Sequence, residues 1–179
     1  MTDYATTYGL ALYTLVQEED LAVPILEQLK DICAIFAQNP AIYRVLSVPD
    51  IAKEDRLAVV DDILGKQVHP YLVNFLKVLV ENQGIGYLNE CLEVYVKQYN
   101  KDNNIETITA ITSVPLSNAL FEKLKTKLES ITGKTVELTN TVDPSCIGGI
   151  VLEFDTKQLD GSVKSKLNTL REQMLAVMA

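Results

Sequence analysis

The sequence predicts a two-domain chain, an all-α six-helix bundle followed by a small α/β domain of order β-α-β-β-α. Three observations carry this. Apolar residues recur at helical spacing up to about residue 102 and at a two-residue period beyond it. The polar run Lys101 to Asn104 separates the two styles. At 179 residues, 47% of them apolar, with eight glycines and six prolines, the chain is long and apolar enough to bury a substantial core. The expected domains are residues 1–102 and 103–179.

In the first domain, Tyr4, Tyr8, Ala11, Leu12 and Leu15 share one face of a first helix. A second runs from about Leu21 to Gln38, with Pro24 tolerated in its first turn. "NPAIYRVLSVPD" holds a short third helix between two prolines. Pro49-Asp50 opens a fourth, "DIAKEDRLAVVDDILG", which Gly65 can terminate. The fifth, "PYLVNFLKVLVEN", is apolar on nearly every side and must be contacted from several directions. The sixth, "GIGYLNECLEVYVKQYNKDNN", runs out in polar residues.

In the second domain "IETITAIT" alternates and is rich in β-branched residues, as a strand requires. Ser117 can cap a helix with Leu120, Leu124, Leu128 and Ile131 on one face, and Gly133 is placed to stop it. "KTVELTNTVD" and "GGIVLEF" are the next strands. Gly148-Gly149 suits a close backbone approach, and Asp160-Gly161-Ser162 turns the chain, with Asp160 as N-cap of a last helix. That helix carries Val163, Leu167, Leu170, Met174 and Val177 in a stripe.

Composition narrows the function. The net charge is −8, and residues 1–102 hold 15 acidic and 8 basic side chains against 9 and 8 in the remainder. An acidic surface repels a phosphate backbone, so nucleic acid is excluded as a partner, and docking on anionic lipid is disfavoured. No apolar run reaches the roughly eighteen residues of a membrane span, and the N-terminus lacks the features of a signal or transit peptide. Cys33, Cys91 and Cys146 are widely spaced among apolar residues, which suits reduced thiols in a reducing cytoplasm.

The chemical motifs are incomplete. "ITGKT" ends like a phosphate loop, but the earlier glycine would stand at Leu128. Gly84 and Gly86 lack the third glycine of a dinucleotide fingerprint. His69 is the only histidine, and no paired cysteines accompany it, so neither a zinc site nor a Ser-His-Asp arrangement can be assembled. The acidic runs at 18–20 and 61–62 lack the alternating ligands of a calcium loop. No catalytic residue, cofactor or metal is expected.

"VDPSCIGGIVLEFDTKQLDGSVKSKLNTLREQM" resembles the C-terminal signature of the delta subunit of rotary ATP synthases, the oligomycin-sensitivity-conferring protein of mitochondria. The resemblance covers the whole chain: "YGLAL" at 8–12 is similar to the family's opening "YAxAL", "NFLKVLVEN" to its central segment, and "ITSVPLSNALFEKLKTKLESITGKTVEL" to the run before the signature. Gly9 replaces the common Ala, and Asp155-Thr156-Lys157 a usual Gly-Asp turn.

The resemblance implies a non-catalytic stator subunit, one copy per hetero-oligomeric complex, coupling proton flow to ATP synthesis. It would be peripheral, at the cytoplasmic face of the bacterial cell membrane, with no span of its own. In that family the N-terminal bundle receives the N-terminal helix of an alpha subunit in a groove of its first and fifth helices, and the C-terminal domain joins the b subunits of the peripheral stalk. Carried onto this chain, the groove residues are Tyr8, Ala11, Leu12, Leu15, Phe75 and Leu79, and Met174 and Met178 face the b subunits. Asp143, Gly148, Gly149, Asp160, Gly161 and Ser162 form the structural signature. Tyr8 beside small Ala11, with an all-apolar fifth helix, would leave apolar surface for an amphipathic partner helix, although the same side chains suit a bundle core. The alternative is a helical-peptide-binding adaptor of another cytoplasmic complex.

Overall fold

The computed structural model describes residues 3–47, 51–65, 67–154, 157–163 and 165. The chain divides into two compact units, Met1–Tyr99 and Asn100–Ala179. Each has its own apolar core.

The first unit holds α1 (Asp3–Gln17), α2 (Ala22–Gln38), α3 (Pro40–Ser47), α4 (Lys53–Leu64), α5 (Pro70–Glu81) and all but the last three residues of α6 (Leu88–Asp102). Helix α5 is the axis of the packing. Pro70 at its first position needs no donor, and His69 Nδ1 accepts the Tyr71 N–H at 3.3 Å to cap it. Leu72, Leu76, Leu79 and Val80 are fully buried, and Val73 and Phe75 nearly so. Each such side chain contributes about 1.5–3 kcal/mol of burial. The neighbours that cover α5 include α1, α4 and the 3-10 turn Ile85–Tyr87.

The buried face of α1 differs from the expected one. Ala5, Gly9, Leu12, Tyr13 and Val16 enter the core, whereas Tyr4 and Tyr8 are half-buried and Ala11 and Leu15 exposed. Two overlapping apolar stripes have the same period, and contact with α6 selects between them. A Cβ at Gly9 would lie 2.9 Å from both Cys91 O and Val94 Cβ, so the missing side chain is what lets α6 approach. The expected sixth helix begins differently, as a 3-10 turn over Ile85–Tyr87, and Gly84 just before it lies directly against the Tyr4 ring, with which a Cβ would clash. Pro49 and Asp50 lie outside the described residues.

All three cysteines are free thiols, with Cys91 and Cys146 buried and Cys33 half-buried. Burial pushes the Cys33 thiol up to about 11, and does the same for Cys91, where Glu90 and Cys33 add to it. Tyr4 is pushed up to about 12, first by burial and then by Tyr8, whose ring stacks on it at 4.3 Å.

In the second unit β1 (Ile105–Thr112), β2 (Thr135–Val142), β3 (Ile150–Glu153) and β4 (Gln158–Asp160) form one sheet of order β2-β1-β3-β4. The β1–β2 pair is parallel because α7 (Asn118–Thr132) provides the crossover, and the other two pairs are antiparallel. Ile108, Ala110, Val136 and Leu138 meet Leu128 of α7, with Phe121 and Leu124 beside them. Leu120 and Ile131, expected on that stripe, are exposed at 56% and 70%. Ser117 stands at the N-cap without a side-chain bond, while Gly133 ends the helix left-handed at φ 67°.

Asn140 fixes the loop after β1: its Nδ2 donates to Ala110 O at 2.8 Å and Thr112 Oγ1 at 2.9 Å, and its Oδ1 accepts from Leu116 N at 3.0 Å.

The order β-α-β-β-α lacks one strand that the chain forms. β4 is three residues long, exposed, and held by pairing such as Leu152 with Leu159, so no alternation marks it in the sequence. Asp160 ends β4 and is not the N-cap. Its Oδ1 accepts Ser162 N at 2.8 Å, and Ser162 Oγ takes over the capping role by accepting Ser165 N at 3.1 Å. Beyond Val163 and Ser165 the expected last helix, with Leu167, Leu170, Met174, Val177 and Met178, lies outside the described residues.

Two predictions follow from the packing. Gly149 has φ 86°, and a Cβ there would lie 2.6 Å from Gly161 O and 2.9 Å from Ser162 Cα. Gly149→Ala therefore destabilises the second unit by about 1–3 kcal/mol, read as a lower urea midpoint for the sheet. A thiol raised from 9.0 to about 11 carries roughly a hundredfold less thiolate at pH 8. Native Cys33 and Cys91 should then alkylate far more slowly at pH 8 than in denaturant, resolved residue by residue by mass spectrometry. Because the folded state holds these protons above the unfolded values of 9.0 for the thiols and 10.0 for Tyr4, their stabilising contribution is complete below pH 9 and lost as pH rises toward 11–12. Melting temperatures measured across that range should fall accordingly.

Candidate functional site

Helices α1 and α5 run antiparallel, fastened at both ends. At one end Tyr71 Oη, at the start of α5, donates to Glu19 Oε1, just past the end of α1. That bond, more than burial, raises the Tyr71 phenol. At the other end Tyr4, in the first turn of α1, lies against Gly84 and its ring sits 5.4 Å from Tyr87. Between the two fastenings lies a seam.

Along this seam Tyr8 is half-buried, Ala11 is exposed and Leu15 is exposed at 45%. Leu12, Phe75 and Leu79 are buried, so they belong to the floor and to the core of the unit. Val78, one helical turn from Phe75, is exposed at 39%, an apolar position that sequence reasoning did not single out. A single apolar residue among many on α5 gives no signal until the buried face is known.

The solvent face of α1 is unusual for a surface helix, which ordinarily carries charge there. From Tyr4 to Gln17 it has no ionisable group other than tyrosine. Its exposed positions are Thr7, Leu10, Ala11, Thr14, Leu15 and Gln17. Thr7 Oγ1 and Thr14 Oγ1 turn back to donate to Asp3 O and Leu10 O, at 2.8 and 2.9 Å. This face thus offers uncharged, partly apolar contact.

The signature residues of the second unit serve its backbone. Asp143 Oδ1 accepts Ser145 N and its Oδ2 accepts Ser145 Oγ, both at 2.8 Å, closing the 3-10 turn Pro144–Cys146. Gly161 N donates to Ile150 O and Val163 N to Gly148 O, both at 2.9 Å. This crossing brings Gly148, Gly149, Gly161 and Ser162 together, with Ser162 buried. Met174 and Met178 lie outside the described residues.

A separate apolar cleft of about 220 Å³ lies beside Cys33, Phe36, Tyr43, Ile85 and Leu88. It is smaller than the roughly 300–1,000 Å³ of ordinary ligand pockets. No helix among the described residues is long and apolar enough to cross a membrane, and no group of three metal-ligating side chains is found among them.

Known proteins match this architecture over nearly its whole length. The chain is 31% identical to ATP synthase subunit delta of Clostridioides difficile over 98% of this chain and 97% of that one. It is 32% identical to ATP synthase subunit delta of Clostridium perfringens, over 94% of each. A chain in the cryo-EM structure of the Toxoplasma gondii mitochondrial ATP synthase hexamer shares the fold at a TM-score of 0.75 and 20% identity, covering 97% of this chain and 98% of that one. Residues 4–174 match the family described as ATP synthase delta (OSCP) subunit, and the chain belongs to that family.

Proposed function

We propose that this protein is the stator subunit that joins the catalytic head of a rotary, proton-translocating ATP synthase to its peripheral stalk, without chemistry of its own. Its N-terminal domain, a six-helix bundle ending at about Asp102, receives the N-terminal helix of an alpha subunit along the α1–α5 seam. Its C-terminal domain binds the b subunits, through the last helix near Met174 and Met178. One copy per complex would sit peripherally on the cytoplasmic face of the bacterial membrane.

The observation that supports this most is the uncharged solvent face of α1, together with the exposed Val78 on α5, the helix it packs against. Helix-in-groove recognition uses apolar anchors at i, i+3, i+4 and i+7, and Tyr8, Ala11 and Leu15 supply that spacing on the receiving side. Torque against the head has to be resisted by noncovalent contacts, and two separate binding surfaces on one chain raise the effective concentration of each partner for the other.

Titration with an alpha-subunit N-terminal peptide tests the reading. Leu15→Asp and Val78→Asp should each weaken binding at least about tenfold, because a charge placed in an apolar contact must be desolvated without a partner. Both positions are exposed, so circular dichroism should be unchanged. Absence of binding by the unaltered chain would sink the docking surface. Equal binding by both variants would move the contact elsewhere.

A further inference from the structure

We infer that the corner between α3 and α4 is a binding site for a single carboxylate, held by the buried guanidinium of Arg56. The inference is independent of the docking seam.

Arg56 stands where the pattern of its helix calls for an apolar residue. Arg56, Val60 and Leu64 recur at i, i+4 and i+8 and are the buried residues of α4. Arg56 is only 6% exposed. Arginine is almost never buried to this degree unless its charge is paired. Yet no ion pair reaches it among the described residues. Its Nη1 donates to Leu46 O at 3.5 Å, the outer limit of a hydrogen bond, and its buried Nε has no acceptor.

Acid is not scarce. The chain carries 24 acidic side chains against 16 basic ones, and the more exposed lysines of α4 and α5 are both served, Lys53 by Glu81 at 3.2 Å and Lys77 by Asp61 at 2.7 Å. Methionine in place of Arg56 would fill the stripe without burying a charge, so packing alone does not call for arginine.

Leu46 lies in the last turn of α3, so the guanidinium points back past the start of its own helix, the direction in which helical side chains lean. There the N-terminus of α4 is also unfilled. Ala52 at the N-cap has no side chain able to accept, and the backbone ladder opens with Arg56 N donating to Ala52 O at 3.1 Å. The N–H groups of Lys53, Glu54 and Asp55 have no acceptor among the described residues, and they carry the positive end of the helix dipole. A buried fork of donors and an open helix start thus point the same way.

The donors define the occupant. The Nε–H and Nη–H edge of a guanidinium matches the two oxygens of a carboxylate. Charge selects a monoanion: one unpaired cation balances one negative charge, whereas a phosphate dianion would meet added repulsion from exposed Glu54 and Asp55 in the first turn of α4.

The test uses the full chain. The sequence has three arginines, Arg44, Arg56 and Arg171, so the Arg56 Nε–H resonance is assigned by elimination with Arg44→Lys and Arg171→Lys. Titrated with sodium acetate against sodium chloride at equal ionic strength, that resonance should shift saturably at millimolar acetate, and less with sodium phosphate. Acetate stands for a free carboxylate and the blocked tripeptide acetyl-Gly-Glu-Gly-amide for one carried on a polypeptide, with the Gln tripeptide as uncharged control. A response to acetate alone assigns the site to a small carboxylate, and a response to the Glu tripeptide as well assigns it to a side chain of a partner. Acetate at about 100 mM should raise the Tm of the unaltered chain a few degrees above its value in chloride. Arg56→Met should melt no lower than the unaltered chain in chloride and gain nothing from acetate. No shift of the Arg56 resonance with either carboxylate overturns the site. So does Arg56→Met melting well below the unaltered chain in chloride, which makes Arg56 a cap on α3. Asp50→Asn checks for a partner within the chain: if that change alone moves the Arg56 resonance as far as acetate does, the inference falls.

Discussion

The requirement that α5 be covered on nearly every side organises the first unit. A helix whose Leu72, Val73, Phe75, Leu76, Leu79 and Val80 all need partners cannot lie on a surface, and it draws α1 and α4 around itself. The covering is incomplete at Val78, which remains partly in solvent. The same constraint thus produces both the core and the place where the core is left open. Closing that place within the chain would require a further helix, and a partner can supply one.

Much of this was legible in the sequence. The change of period near residue 102 separates the helical stretch from the sheet, and the glycines at 148, 149 and 161 correctly mark a close backbone crossing. What was illegible depends on contacts between distant residues. Two stripes on α1 have equal periodicity, and only the approach of α6 to Gly9 decides which is buried. β4 owes its existence to β3, and three exposed residues leave no pattern of their own. Ser162 displaces Asp160 as the cap because Asp160 spends its carboxylate on the turn before it.

The candidate site shows the same division. Spacing puts Tyr8, Ala11 and Leu15 on one face of α1, and the resemblance proposes that face as part of the groove. Leu12, Phe75 and Leu79 share that spacing yet are buried, since burial is a property of the assembled unit. That α1 and α5 lie side by side is itself a fact of the assembled unit, fixed by Tyr71 with Glu19 and by Tyr4 with Gly84. A family resemblance supplies the architecture, and the exposure of individual side chains supplies the surface.

The fastenings at the two ends of the seam have a mechanical consequence. Tyr71 with Glu19, and Tyr4 with Gly84 and Tyr87, keep the flanking helices from splaying apart. A helix docked there as proposed, and pulled along its axis, would load every contact in shear at once, whereas walls free to open would let it peel away one turn at a time. Rupture in shear requires all the contacts to fail together. A link that transmits torque through weak bonds gains its strength from that simultaneity.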